Sequence, residues 1–204
     1  MAESRQIMES VRGHLARVFP KRAIARARFA EHELVVNLPD LAVFEVAPPD
    51  GTSDGRTGTL PVLHRAPWLY VTAGASAEAM DDGYGLEFLL CAPAAEPLAA
   101  TLVAMVANLH ADPRYPMSLG QVLEIGHPWL PGASADHLIV ALPSIFEAEL
   151  EWLSGRERTI RFIWLVPITR RESEFAKQRG LDALQSRFGA AQVDVTQLAR
   201  DSVV

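Results

Sequence analysis

Residues 159–172 read TIRFIWLVPITRRE, and two signals follow one another in them without a gap. Thr159–Val166 begins by alternating polar and apolar side chains and then becomes apolar at every position, the pattern of a central strand covered on both faces. Thr169 and Glu172 stand at the T-x-x-E spacing of a capping box, in which each side chain satisfies an amide that the helix start would leave unpartnered. The spacing predicts a helix running to about Gln178–Arg179, with Gly180 to terminate it. One or two further turns, Leu181–Phe188, end at Gly189.

The elements before this block are shorter. Gln121–Ile125 and His137–Leu142 read as weaker strands. Ala94–His110 reads as a helix, with Leu98, Leu102, Met105 and Leu109 in a single stripe and Pro97 suited to its first turn. In Tyr84–Cys91, Leu86, Phe88 and Leu90 alternate with Glu87 and Leu89, so one face of that strand is buried and Glu87 faces outward or under a second layer. Trp68–Thr72 (WLYVT) is another strand. Pro48–Gly58 (PPDGTSDGRTG) is turn chemistry throughout and predicts a flexible surface loop. Glu33–Leu38 and Leu41–Ala47 are β-rich runs joined by a Pro39-Asp40 turn. At the start, Ile7, Val11, Leu15 and Val18 recur at helical steps, and Pro20 stops the helix. The order helix, strands, helix, strands, helix, without strict βαβ alternation, implies an α+β fold: a mixed, mainly antiparallel sheet with helices packed on it.

At 204 residues with 49% hydrophobic composition, the chain has the size and apolar content of a single domain over 1–204, with 1–31 as an N-terminal helix and basic segment. No apolar run approaches the length of a membrane span, and the charged first twenty residues lack the core of a secretion signal, so the expected compartment is the cytoplasm. Cys91, the sole cysteine, lies in FLLCA and reads as a buried, inert thiol. The net charge of −6 is unevenly spread: +4 over residues 1–31, −12 over 32–150 and +2 over 151–204. So acidic a middle disfavours nucleic acid and would steer a basic partner.

Several pieces together resemble the Suppressor of fused (SUFU) domain family. WLYVTAGAS, containing Trp68, Thr72, Gly74 and Ser76, is similar to that family's aromatic-x-x-hydrophobic-T-x-G-x-S segment. The strand with the embedded Glu87 resembles the one that follows it. Gly126-His127-Pro128 resembles the family's GH turn, and Asp136–Pro143 its strand ending in proline. Phe162–Glu172, with Pro167, Thr169 and Glu172, is the nearest match, and Arg200-Asp201-Ser202-Val203 is similar to the R-x-S-V ending of bacterial members. The resemblance implies an α/β sandwich and a role in binding another protein, either as an immunity protein (antitoxin) against a bacterial toxin or as a regulator that holds an extended peptide.

Catalytic readings compete poorly with structural ones. Gly74-Ala75-Ser76-Ala77-Glu78 begins like a nucleophile elbow but places Glu78 where the second glycine of the tight turn belongs. Asp136, His127 and His137 offer metal-ligating chemistry without a recognised spacing, and no phosphate-binding glycine motif occurs, so no metal and no cofactor is expected. The candidate partner contacts are Glu78, Asp81, Asp82 and Glu87, whose carboxylates could meet Lys or Arg on a partner, and Trp129, expected as an exposed anchor in a proline-rich loop. A basic toxin domain fits that charge; nucleic acid and membrane do not. Sequence leaves monomer and homodimer both open.

Overall fold

The protein is described from a computed structural model, which covers residues 2–29, 38, 40–49, 66–77, 83–155 and 158–204. Along the chain lie α1 (Ala2–Val18), β1 (Ile24–Arg26), β2 (Ala42–Val46), β3 (Trp68–Ala73), β4 (Tyr84–Ala92), α2 (Pro97–His110), β5 (Val122–Glu124), β6 (His137–Ala141), β7 (Trp152–Ser154), β8 (Thr159–Ile168), α3 (Arg170–Arg179) and α4 (Leu181–Ala190), with short 3-10 turns at Ala75–Ala77 and Ala148–Leu150. All of the expected Glu33–Leu38 strand but Leu38, and most of the 48–58 loop, lie outside the described residues.

The strands form one sheet in the order β1-β2-β3-β4-β8-β6-β5, with β7 alongside the start of β8. Only the β4–β8 pairing is parallel; the others among the described residues are antiparallel. The strand expected to be central is central. Ile163 and Leu165 of β8 face one core, while Phe162, Trp164 and Val166 face the other. The first core is covered by α2 and by the segments holding Met117, Trp129 and Leu130. The second is covered by α1 through Ile7, Val11 and Leu15, by α3 through Ala176, and by α4 through Leu184 and Phe188. The result is a sheet between two helical layers, the α+β sandwich read from the sequence.

Three features depart from the sequence reading. β1 and β7 have only three residues each, too few to show a period. α4 continues through Gly189 to Ala190. The third departure concerns α2. Its buried residues are Ala99, Ala100, Val103, Ala104, Val106 and Ala107 with the polar Thr101, Asn108 and His110, whereas Leu98, Met105 and Leu109 of the expected stripe are exposed. The helix has no charged residue and carries apolar side chains on every side, so its periodicity cannot choose the inner face. Small residues let it lie close against the large side chains of β3 and β4, and that packing settles the choice.

Two buried histidines link this packing to pH. His14 of α1 stacks on Phe162, its ring nitrogens within hydrogen-bond distance of the Leu150 carbonyl at 3.3 Å and the Arg17 guanidinium at 2.7 Å. Because Arg17 can only donate, His14 Nδ1 accepts and Nε2–H donates to Leu150, which requires a neutral ring. His110 Nδ1 accepts from the Met117 amide at 3.0 Å. Burial is the main influence lowering both pKa values. The fold therefore holds neutral rings that the unfolded chain protonates below about pH 6.5. Their contribution is complete above that pH and is lost as pH falls through the lowered folded values. Urea midpoints measured from pH 8 to pH 5 should fall with acidity, and His14→Gln should reduce that fall.

Candidate functional surface

The T-x-G-x-S motif and Glu87 form one buried unit. β3 ends at Ala73, and Gly74, at φ +122° in a region that L side chains rarely adopt, turns the chain into the 3-10 turn Ala75–Ala77. This turn aims successive amides at β4, where Glu87 is fully buried. One carboxylate oxygen accepts from the amides of Gly74 (2.8 Å) and Ser76 (3.1 Å) and from the Ser76 hydroxyl (2.7 Å). The other accepts from the Thr72 hydroxyl (2.6 Å) and the Ala75 amide (3.3 Å). Thr72 Oγ1 also accepts from the Phe88 amide at 2.8 Å, tying β3 to β4. Burial pushes the Glu87 pKa up, and the hydrogen bonds from Thr72, Gly74 and Ser76 oppose it. Gly85 completes the fit, because a Cβ there would sit 2.5–2.8 Å from Ser76 atoms.

Glu87 is therefore not a partner contact. Of the two placements the sequence leaves open, the second holds: the face lies beneath the α1 layer, and the carboxylate anchors the turn. The same geometry removes Ser76 as a nucleophile: its hydroxyl is buried and already donates to Glu87. Trp129 also needs correction, being 4% exposed. Its amide donates to the Ala135 carbonyl, and Ser134 is tied to the carbonyls of Leu198 and Arg200, so the proline-rich loop folds inward onto the α2-side core. Gly126 adopts φ +84°, and His127 is exposed, with Nδ1 2.8 Å from the Pro128 carbonyl. Trp68 is half-buried against the α2-side core. His137 is buried and paired with Asp136 at 2.7 Å. Among the described residues no group of three or more His, Cys, Asp or Glu is positioned to hold a metal ion. Glu78, Asp81 and Asp82 lie outside the described residues.

At the far end of the domain, the capping box and the chain's last residues meet. Thr169 and Glu172 make both reciprocal cap bonds. Arg200 grips the buried Glu172 carboxylate with two nitrogens at 2.6 and 2.7 Å, and the Val203 amide donates to it at 3.2 Å. Arg200 also donates to the Pro167 carbonyl and lies over the Phe188 ring. The motif residues Pro167, Thr169 and Glu172 are thus the socket for the R-x-S-V segment.

The exposed tryptophan is Trp152, on β7. It is 41% exposed, its ring meets Tyr84 edge-on at 5.5 Å, and the Arg161 guanidinium lies 4.9 Å from its centroid. Arg161 is held in turn by Glu151 at 2.7 Å. Tyr84 opens β4, directly after the segment containing Asp81 and Asp82. Sequence reading overlooked Trp152 because a three-residue strand announces no face; the flanking Glu151 and Ser154-Gly155 were the available hint of a surface position. Elsewhere Arg170, from the basic last third, lies 3.8 Å from Glu124 and 3.5 Å from Asp136, so part of the acidic block is compensated within the fold. Among the described residues no helix is long and apolar enough to cross a membrane.

Comparison with known proteins agrees with this architecture. Residues 59–201 match the family described as Suppressor of fused protein (SUFU). A SUFU homologue from Neisseria gonorrhoeae is similar over 98% of both chains, with 28% identity and a TM-score of 0.78. The Sufu–Fu complex (14% identity, 97% of this chain and 91% of that one) and Drosophila Suppressor of Fused (13%, 97% and 51%) each superpose with a TM-score of 0.68, a likeness of fold alone. The immunity protein YqcF of Bacillus subtilis is 29% identical over 68 residues, 33% of this chain. That alignment spans only 35% of YqcF.

Proposed function

The chain belongs to the Suppressor of fused family, and from that premise we propose that it acts by binding another protein rather than by catalysis, as an immunity protein that neutralises a cognate toxin. The observation that carries this reading is the Trp152–Tyr84–Arg161 cluster. Tryptophan, tyrosine and arginine are the residue types that dominate binding hot spots, and here the packing around Trp152 orders it in advance. Glu78, Asp81 and Asp82 precede Tyr84 in the chain and supply carboxylates for Lys or Arg on a basic partner. The likeness to an immunity protein supports a toxin as that partner. On this reading the protein works in the cytoplasm, without a cofactor.

The test is to titrate the purified protein against the product of a toxin gene adjacent to its own, and to assay growth when the two are co-expressed. A complex formed at or below about 1 μM, with protected growth, is expected. Its affinity should fall as salt rises, mainly through slower association. Absence of a complex at about 10 μM, together with unprotected growth, sinks the proposal. A second reading, a regulatory module that adds an extended peptide to its sheet, is favoured by β1 and β5, each of which pairs on one side only among the described residues. A short linear peptide that reproduces the full affinity would select it.

A further inference from the structure

Five of the six large exposed apolar side chains among the described residues fall within 98–119: Leu98 (49% exposed), Met105 (47%), Leu109 (38%), Tyr115 and Leu119. Three of them, with the half-buried Leu102, form the outer stripe of α2. Its inner face is already committed to the sheet, and a helix apolar on both faces is normally covered on both. From the stripe we infer that α2 is a self-association surface, pairing antiparallel with α2 of a second copy of this chain.

Two observations select a second copy. The stripe residues are separated by four, three and four positions, the spacing of a coiled-coil seam, and that spacing reads the same in either direction. A two-fold axis midway between Leu102 and Met105 pairs Leu98 with Leu109 of the other copy, and Leu102 with Met105, four times over without a mismatch. This is the condition an isologous interface must meet. Charge permits it as well. α2 contains no Asp, Glu, Lys or Arg, although the chain carries −6 overall. Antiparallel pairing brings Glu96, which caps the start of α2, beside the other copy's Asp112–Arg114 pair, an end whose charges cancel. The helix is about 21 Å long, and one seam of that length buries less than the roughly 800 Å² per partner of a stable interface. The dimer is therefore concentration-dependent, with Tyr115 and Leu119 available to extend it.

Sedimentation velocity of the full chain from about 1 μM to about 1 mM should show a shift from monomer to dimer, and Met105→Glu should sediment as a monomer throughout with an unchanged circular dichroism spectrum. Register is read by oxidation: Leu98→Cys and Leu109→Cys should cross-link when the two variants are mixed, while Leu98→Cys alone should not, its two copies standing about 16 Å apart along the paired helices. The native Cys91 is buried and does not compete. A monomer at every concentration, a dimer that survives Met105→Glu, or Leu98→Cys linking to itself would each overturn the inference.

Discussion

Replacing Arg200 with methionine is expected to lower the unfolding free energy by about 3–5 kcal/mol, a large share of the roughly 5–15 kcal/mol available to a domain. The reason is the partner left behind. Glu172 is fully buried and Arg200 nearly so, and without the guanidinium the carboxylate keeps only the Thr169 and Val203 amides. The last residues would lose their strongest anchor at the same time, keeping only the contacts of Ser202 with Thr169 and of Val203 with Glu172. Glu172→Met should cost a comparable amount, since it strands the guanidinium and removes one half of the cap. The double variant Glu172→Met/Arg200→Met should be less damaged than the sum of the two, because a buried pair replaced by apolar side chains leaves no unpaired charge. Urea denaturation of the four proteins measures this cycle. Single variants that each lose less than about 1 kcal/mol would mean that the pair behaves like a surface ion pair and does not hold the tail.

Glu87→Ala is expected to be as damaging or worse. It removes one side chain and orphans three buried amides and two hydroxyls, each unmet amide costing about 1–3 kcal/mol. The hydroxyls can turn in part, Thr72 toward the Phe88 carbonyl 3.4 Å away, but the amides of Gly74, Ala75 and Ser76 are fixed by the turn. Glu87→Gln keeps the shape and one acceptor oxygen, so it should retain the fold at a smaller loss. The pair of variants also reads protonation. With its pKa raised by burial, the folded carboxyl holds its proton to higher pH than the unfolded one. The corresponding stability is complete below the ordinary glutamate pKa of about 4.3 and is lost as pH rises through the raised folded value. Wild type should therefore lose stability relative to Glu87→Gln as pH rises across that window. The histidines slope the other way and are common to both proteins, so they cancel in the difference. A flat difference would show that the five donors offset burial and leave the carboxyl titrating as in the unfolded chain, and a rising one that they hold it ionised.

The sheet's centre was legible because Thr159–Val166 must satisfy two cores at once, and no surface strand carries that pattern. The Thr169–Glu172 cap was legible because its chemistry is local. Arg200 lies twenty-eight residues beyond Glu172, and no periodicity connects them; only resemblance marked both. Glu87 has two placements open to it in the sequence, outward or under a second layer, for a related reason. Alternation separates the two faces of β4, but it cannot say that a second helical layer covers the face bearing the glutamate. In α2 the large apolar side chains lie outside and the small ones inside, with Thr101, Asn108 and His110, so the stripe that marked the helix proved to be the one left exposed. Trp129, expected to be exposed, is buried because a loop's burial depends on distant ties, here those of Ser134 to Leu198 and Arg200.

The family-like residues build the scaffold, and under the proposed function binding falls to the surface around Trp152. The most direct measurement is the affinity of Trp152→Ala for the toxin product, beside wild type, with unfolding followed on the same samples. Trp152 is exposed on a short strand, so its truncation should leave the denaturation midpoint nearly unchanged while weakening binding about tenfold or more and abolishing growth protection. A variant that binds and protects as well as wild type would contradict the account.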